Sequence, residues 1–193
     1  MPKKHKVVNC TCPENPTFYD IQDCEEMMEI QANNWVRNMN TLEEYQHNNP
    51  GHLIVTVGLP RSGKSTWAKK QGFPIVEPDA IRFALYGQEW WAPGEPMVWS
   101  VAYTMVRALF LAGHRNVILD AVSHTKYRRD EWIRKGRTED VPWKVYFHCV
   151  DTPESTCIER TKLGEAGNGI RGAIKRMAKD LTFPKDNLLG AKV

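Results

Sequence analysis

The sequence predicts an α/β domain, a parallel sheet with helices on both faces, preceded by an N-terminal helical extension. Three observations predict it. The apolar run His52 to Val57 passes directly into a glycine-bounded segment, Gly58 to Thr66, and a helical pattern follows. Further strand-like runs recur at Ile75-Val76, Asn116 to Leu119 and Trp143 to Val150, with helical stretches between them, and strands that alternate with helices pair in parallel. Finally, Asp79 and Asp120 stand where the second and third runs end, the edge at which open α/β sheets hold their ligands.

Composition sets the bounds. A chain of 193 residues has room for one well-buried domain plus an appendage, assigned here as 51–193 and 1–50. The net charge of +3 gives no general electrostatic grip on nucleic acid, so any such contact must come from a local patch. No apolar run reaches the ~18 residues that span a bilayer, and Pro2-Lys3-Lys4-His5-Lys6 is not followed by a signal-peptide core. The expectation is a cytoplasmic protein with no membrane contact. Five cysteines, an odd number without a repeated CxxC pair, fit reduced thiols in that compartment.

In chain order, residues 1–16 read as an irregular arm. His5, Cys10, Cys12 and Cys24 match no standard zinc spacing, so bland thiols are the stronger reading. From about Asp20 to Gln46, Met28, Ala32, Trp35, Met39 and Leu42 recur by fours and threes on one helical stripe, which must cover the adjoining core, form a homodimer seam or meet a partner surface. Asn48-Asn49-Pro50-Gly51 breaks the chain before the first strand.

Gly58-Leu59-Pro60-Arg61-Ser62-Gly63-Lys64-Ser65-Thr66 fits G-x-x-x-x-G-K-[ST] without a mismatch. Terminal glycines let the backbone curl so that its amides face inward and cradle nucleotide phosphates. Lys64 would reach the β- and γ-phosphates of ATP or GTP, and the Ser65 hydroxyl would bind Mg2+. Gly72 and Pro74 end the helix that follows. Asp79 and Arg82 then share a helical face, with Asp79 as a simple helix N-cap the compatible alternative.

Trp90 and Trp91 lie in a loop, either stacking on bases or plugging the core beneath it. Met97 to Ala112 is apolar on nearly every side and reads as a buried helix ended by Gly113. Asp120 closes a buried strand as a Walker-B carboxylate would, touching Mg2+ or bracing the loop; a cap is the bland reading. Thr125 to Gly136 is basic, either a solvated face or a face for nucleic acid. Gly164 to Gly169, bordered by Arg160, Lys162 and Arg171, reads as a glycine-hinged lid over about 160–171.

Gly58 to Ala68, Asp79-x-x-Arg82, Val117 to Ala121, Arg128-Arg129, the Arg160 segment and Phe183-Pro184 together resemble the P-loop kinases of the phage polynucleotide kinase type, which include phage DNA hydroxymethyluracil kinases. The resemblance covers roughly residues 52–184 and implies a P-loop kinase fold using ATP and Mg2+. It implies Asp79 as general base for an acceptor hydroxyl, Arg82 as the holder of a substrate phosphate, and Arg160 on the transferred phosphoryl. Where the family has a second lid arginine this chain has Gly164, so Lys162 or Arg171 must substitute, and there is no room for the phosphatase domain such enzymes often carry. The acceptor is then a nucleic-acid hydroxyl, DNA ahead of RNA, with Trp90, Trp91 and Arg128 beside it. A metabolite or nucleoside monophosphate kinase and a non-catalytic ATP-binding module are the alternatives.

Overall fold

The computed structural model describes residues 50–88, 90–138, 141–161 and 167–189, together with Glu29 and Asn33, both exposed and helical. The chain divides into two compact units, Met1–Asn48 and Asn49–Val193, and the second carries everything described below. The stripe from Met28 to Leu42, the homodimer assigned to it, and His5, Cys10, Cys12 and Cys24 lie outside the described residues.

Among the described residues four parallel strands form the sheet: β1 (Gly51–Val57), β2 (Ile75–Val76), β3 (Asn116–Leu119) and β4 (Trp143–Cys149), in the order β2-β3-β1-β4. β1 sits at the centre, with Val55 opposite both Leu119 and Phe147. The helices are α1 (Lys64–Lys69), α2 (Pro78–Tyr86), α3 (Glu95–Leu111), α4 (Lys126–Thr138), α5 (Glu154–Glu159) and α6 (Gly167–Asp180).

Alternation along β1 sends its side chains to opposite layers. Leu53, Val55 and Val57 join a core with Val98, Ala102, Val106 and Phe110 of α3 and Trp132 of α4. Ile54 packs instead with Ile118, Ala68 and Trp67, under α1. Helices therefore lie on both faces, as expected. After α6 the chain returns to the outer edge of β4, where Phe147 N–H donates to Asn187 O and Leu189 N–H donates to Phe147 O.

Two expectations need correction. α3 is not buried all round: Val98, Ala102, Val106 and Phe110 form one i, i+4 stripe, while Met97, Met105 and Leu111 are exposed. A sheet covers only one side of a helix, whatever the composition of the other. The segment read as a hinge is helical from Gly167 onward, because Ile170, Ile174 and Met177 draw its first turns onto Leu59 and Cys157; residues 162–166 lie outside the described ones.

α4 crosses β4 so closely that a Cβ on Gly136 would stand 2.5 Å from the Trp143 carbonyl oxygen. Gly136→Ala is therefore expected to destabilise the domain by about 1–3 kcal/mol, although alanine is the better helix former. A thermal melt reads this as a loss of roughly 3–10 °C; an unchanged or raised Tm contradicts the close crossing.

Candidate active site

β1 delivers its chain into the glycine-bounded loop at the carboxyl edge of the sheet. Gly58 takes φ 151°, and a Cβ there would stand 2.5 Å from the Val150 carbonyl oxygen, so both the bend and the close approach demand glycine. Arg61 adopts φ 65° and Gly63, the N-cap of α1, φ 112°, which turns the loop back on itself. Ser62 is buried, Pro60 and Ser65 are half-buried, and Thr66 is exposed.

Lys64 is buried at 6% exposure, with Nζ donating to Leu59 O at 2.6 Å. Burial pulls its ammonium down to about 8, against the Coulombic pull of Asp120, Cys157 and Asp79. Asp120 and Asp79 thus both lie within electrostatic reach of this lysine. Asp120 follows β3 and is no cap: it is buried, and its Oδ1 accepts from Thr56 Oγ1 at 3.2 Å.

Asp79 is the second residue of α2, behind the N-cap Glu77 and Pro78, so the N-cap alternative fails. Proline takes the first helical position because its missing N–H is not needed there. The Asp79 carboxylate is 84% exposed, yet Arg82, whose side chain is 5% exposed, holds its Oδ1 at 2.6 Å through Nη1. Arg82 in turn donates from Nε and Nη2 to the two oxygens of Glu95, at 2.5 and 3.1 Å. Burial opposes the charge of Arg82, but the hydrogen bonds from Glu95 and Asp79 more than offset it, and its pKa lies above the ordinary value.

Glu95 opens α3 and accepts from Trp99 Nε1 at 3.1 Å; Arg128 lies over the Trp99 ring at 5.1 Å. A continuous chain of contacts therefore runs Asp79, Arg82, Glu95, Trp99, Arg128. Trp90 lies 5.6 Å from the Arg82 guanidinium and is 63% exposed, and Trp91, 42% exposed, meets Tyr86 edge-on. Neither tryptophan plugs the core. α4 is more than a solvated basic face, since Arg129 is buried and donates to Ser123 O, His124 O and Thr182 Oγ1.

Arg160, the C-cap of α5, reaches the phosphate loop, where Nη1 donates to Arg61 O and Ser62 O at 3.1 Å each. Arg171 is half-buried in α6 with a buried Nε that finds no acceptor among the described residues; Lys162 lies outside them. Mg2+ fits the oxygens at the loop: the Ser65 hydroxyl beside Lys64 and a buried Asp120 carboxylate anchored by Thr56. Among the described residues no cluster of three His, Cys, Asp or Glu could cage a metal. Mg2+ does not need one, because it keeps waters and takes phosphate oxygens.

Glu95, Trp99, Thr56 and Thr152, whose Oγ1 donates to the Ser62 carbonyl at 2.9 Å, are the site-forming residues that sequence reasoning missed. Only Glu95 left a signal, as an acid between Gly94 and Pro96 at a helix start.

The family model described as "AAA domain" matches residues 53–183, more than half of the chain. The chain belongs to the AAA domain family. No curated protein matches this AAA domain chain. Among solved structures, a chain of the Pnkp1/Rnl/Hen1 complex is 25% identical, with a TM-score of 0.52 over 61% of this chain and 41% of that one. A chain of the Pnkp1/Rnl/Hen1 RNA repair complex is 18% identical, with a TM-score of 0.53 over 75% and 51%. A candidate kinase from Chloroflexus aurantiacus is 16% identical, with a TM-score of 0.53 over 73% and 86%. The last two likenesses speak for the fold alone. This AAA domain chain spans about half or less of the two Pnkp1 complex chains. Its P-loop kinase-like fold implies nucleotide binding, and no helix among the described residues is long and apolar enough to cross a membrane.

Proposed function

We propose that the chain is an ATP-dependent kinase that transfers the γ-phosphate to a hydroxyl on nucleic acid, either a polynucleotide 5′-hydroxyl or a hydroxymethyl group on a DNA base such as 5-hydroxymethyluridine. One observation carries it. An exposed carboxylate, Asp79, is held by a buried arginine within electrostatic reach of the phosphate-loop lysine. A plain nucleotide switch has no use for an acceptor base there.

Phosphoryl transfer asks for alignment and charge neutralisation. The amides of Gly63, Lys64 and Ser65 and the Lys64 ammonium cradle the β- and γ-phosphates, while Gly58 N–H and Ser62 N–H stay bonded to Val122 O and Leu59 O. Ser65 and Asp120 would hold Mg2+, which when bound neutralises charge on those phosphates. Asp79 orients the hydroxyl and takes its proton as the oxygen bonds to the γ-phosphorus; the bridging P–O bond breaks and ADP leaves. Arg160 turns from the loop carbonyls to the transferred phosphoryl, with Arg171 or Lys162 as the second lid cation. Arg82 serves Asp79 first: three of its five donors are engaged by two carboxylates, which leaves two for an acceptor phosphate.

The nucleic-acid part of the reading rests on Trp90, exposed beside Arg82, and Trp91, exposed against Tyr86, as stacking surfaces for an unpaired base, and on Arg128 at the far end of the contact chain. Although the sequence puts DNA first, RNA belongs in the test. Labelled ATP is incubated with DNA and RNA oligonucleotides bearing 5′-hydroxyls, DNA containing hydroxymethylpyrimidine, and a metabolite and nucleoside monophosphate panel. Label on an oligonucleotide end or base is the expected result. Label on small molecules alone replaces the acceptor, and ATP hydrolysis with no phosphorylated product overturns the kinase reading.

A further inference from the structure

The Ser62 carbonyl accepts two hydrogen bonds from outside its own loop. Thr152 Oγ1, in the turn between β4 and α5, donates at 2.9 Å, and Arg160 Nη1 donates at 3.1 Å. We infer that Thr152 is a positioning residue for the phosphate loop, holding the Ser62–Gly63 peptide in its anion-binding orientation while Arg160 is engaged elsewhere.

A trans peptide is planar, with its C=O and N–H directed oppositely. Two donors that fix the Ser62 oxygen on the α5 side therefore fix the Gly63 N–H on the other side. That peptide needs fixing. It lies just after Arg61, whose φ of 65° carries the strain of a left-handed non-glycine residue, and it ends at Gly63, whose φ of 112° is open to glycine alone and leaves the peptide easy to turn. A carbonyl that accepts from an arginine and a hydroxyl also polarises its own N–H, making that amide a stronger donor to phosphate.

The two donors differ in permanence. The Arg160 side chain is exposed and shares Nη1 between Arg61 O and Ser62 O. In the proposed reaction, on which this inference rests, it leaves them for the transferred phosphoryl. Thr152 is not drawn away in that manner, since its short side chain is half-buried and its own carbonyl faces Cys157 Sγ at 3.7 Å. The hydroxyl is the bond that persists through the cycle.

Thr152→Val keeps the shape and removes the donor; Thr152→Ser keeps the donor and removes a methyl. ADP binding by calorimetry needs no acceptor and no turnover. We expect Thr152→Val to weaken ADP binding about tenfold and raise KM for ATP in step, with KM for the acceptor unchanged, while Thr152→Ser stays within about twofold of the parent. A merely structural role would lower Tm in both variants without that split. Should Thr152→Val not fold, the Ser variant and the Gly63 amide exchange rate in Thr152→Ala carry the test, with faster Gly63 exchange than in the parent expected. ADP affinity within twofold in Thr152→Val, or unchanged Gly63 exchange in Thr152→Ala, overturns the assignment. A parent chain that binds no ADP overturns the phosphate-site reading itself.

Discussion

Replacing Asp79 by asparagine is expected to lower turnover by ~10²–10⁴-fold and to leave ATP affinity within about twofold. The substitution keeps size and hydrogen bonding and removes the negative charge that takes the acceptor's proton. Arg82 would remain buried, because Glu95 still binds it through two oxygens. Its position does not depend on Asp79, which is why the loss should fall on the chemical step and spare both folding and nucleotide binding. The check is single-turnover transfer at saturating ATP, with nucleotide affinity measured separately. Full activity in Asp79→Asn removes this carboxylate from the mechanism.

Lys64→Met is expected to cost ~10²–10³-fold in kcat/KM for ATP, since it deletes the cation placed against the developing phosphate charge. The same residue sets a pH dependence. Burial lowers its pKa from 10.5 to about 8 in the nucleotide-free chain. Below that value the ammonium is ready for phosphate; above it a proton must be taken up as the anion binds. Nucleotide affinity should therefore hold steady from about pH 6.5 to about pH 7.5 and fall as pH rises through 8, with about half a proton taken up per nucleotide at pH 8. Calorimetry in buffers of different ionisation enthalpy reads that uptake, and Lys64→Met should abolish it. Stability of the empty chain runs the other way. Between about 8 and 10.5 the unfolded state binds more protons than the folded one, so this group's contribution rises with pH across that window. No change in nucleotide affinity through pH 8 would mean that Lys64 does not meet the phosphates.

The phosphate loop, the two aspartates and the parallel sheet were legible because each is local. Glycine spacing dictates a bend, alternation dictates a strand, and Asp79 and Arg82 are one helical turn apart. What stayed hidden depends on how elements cross. Glu95 reaches Arg82 only because α2 and α3 pack side by side, and Thr152 meets Ser62 across ninety positions of sequence. The exposure of Met97 and Met105 was not legible either, because an apolar side chain does not announce whether a neighbour will cover it. Composition also misled at Gly167–Gly169, where glycines enter a helix because Ile170 and Ile174 have somewhere to pack. Arg82 is the most instructive case. The resemblance implies a phosphate ligand, whereas the fold surrounds the guanidinium with two carboxylates and makes it first a holder of Asp79.

The sharpest check on the proposed chemistry is a crystal structure with Mg2+, a non-hydrolysable ATP analogue and a short oligonucleotide. The expected complex has the β- and γ-phosphates on the amides of Gly63, Lys64 and Ser65, Lys64 turned from Leu59 O onto them, and Asp79 within hydrogen-bond reach, ~3 Å, of a hydroxyl in line with the γ-phosphorus. Phosphates bound elsewhere, or an acceptor hydroxyl far from Asp79, would contradict it.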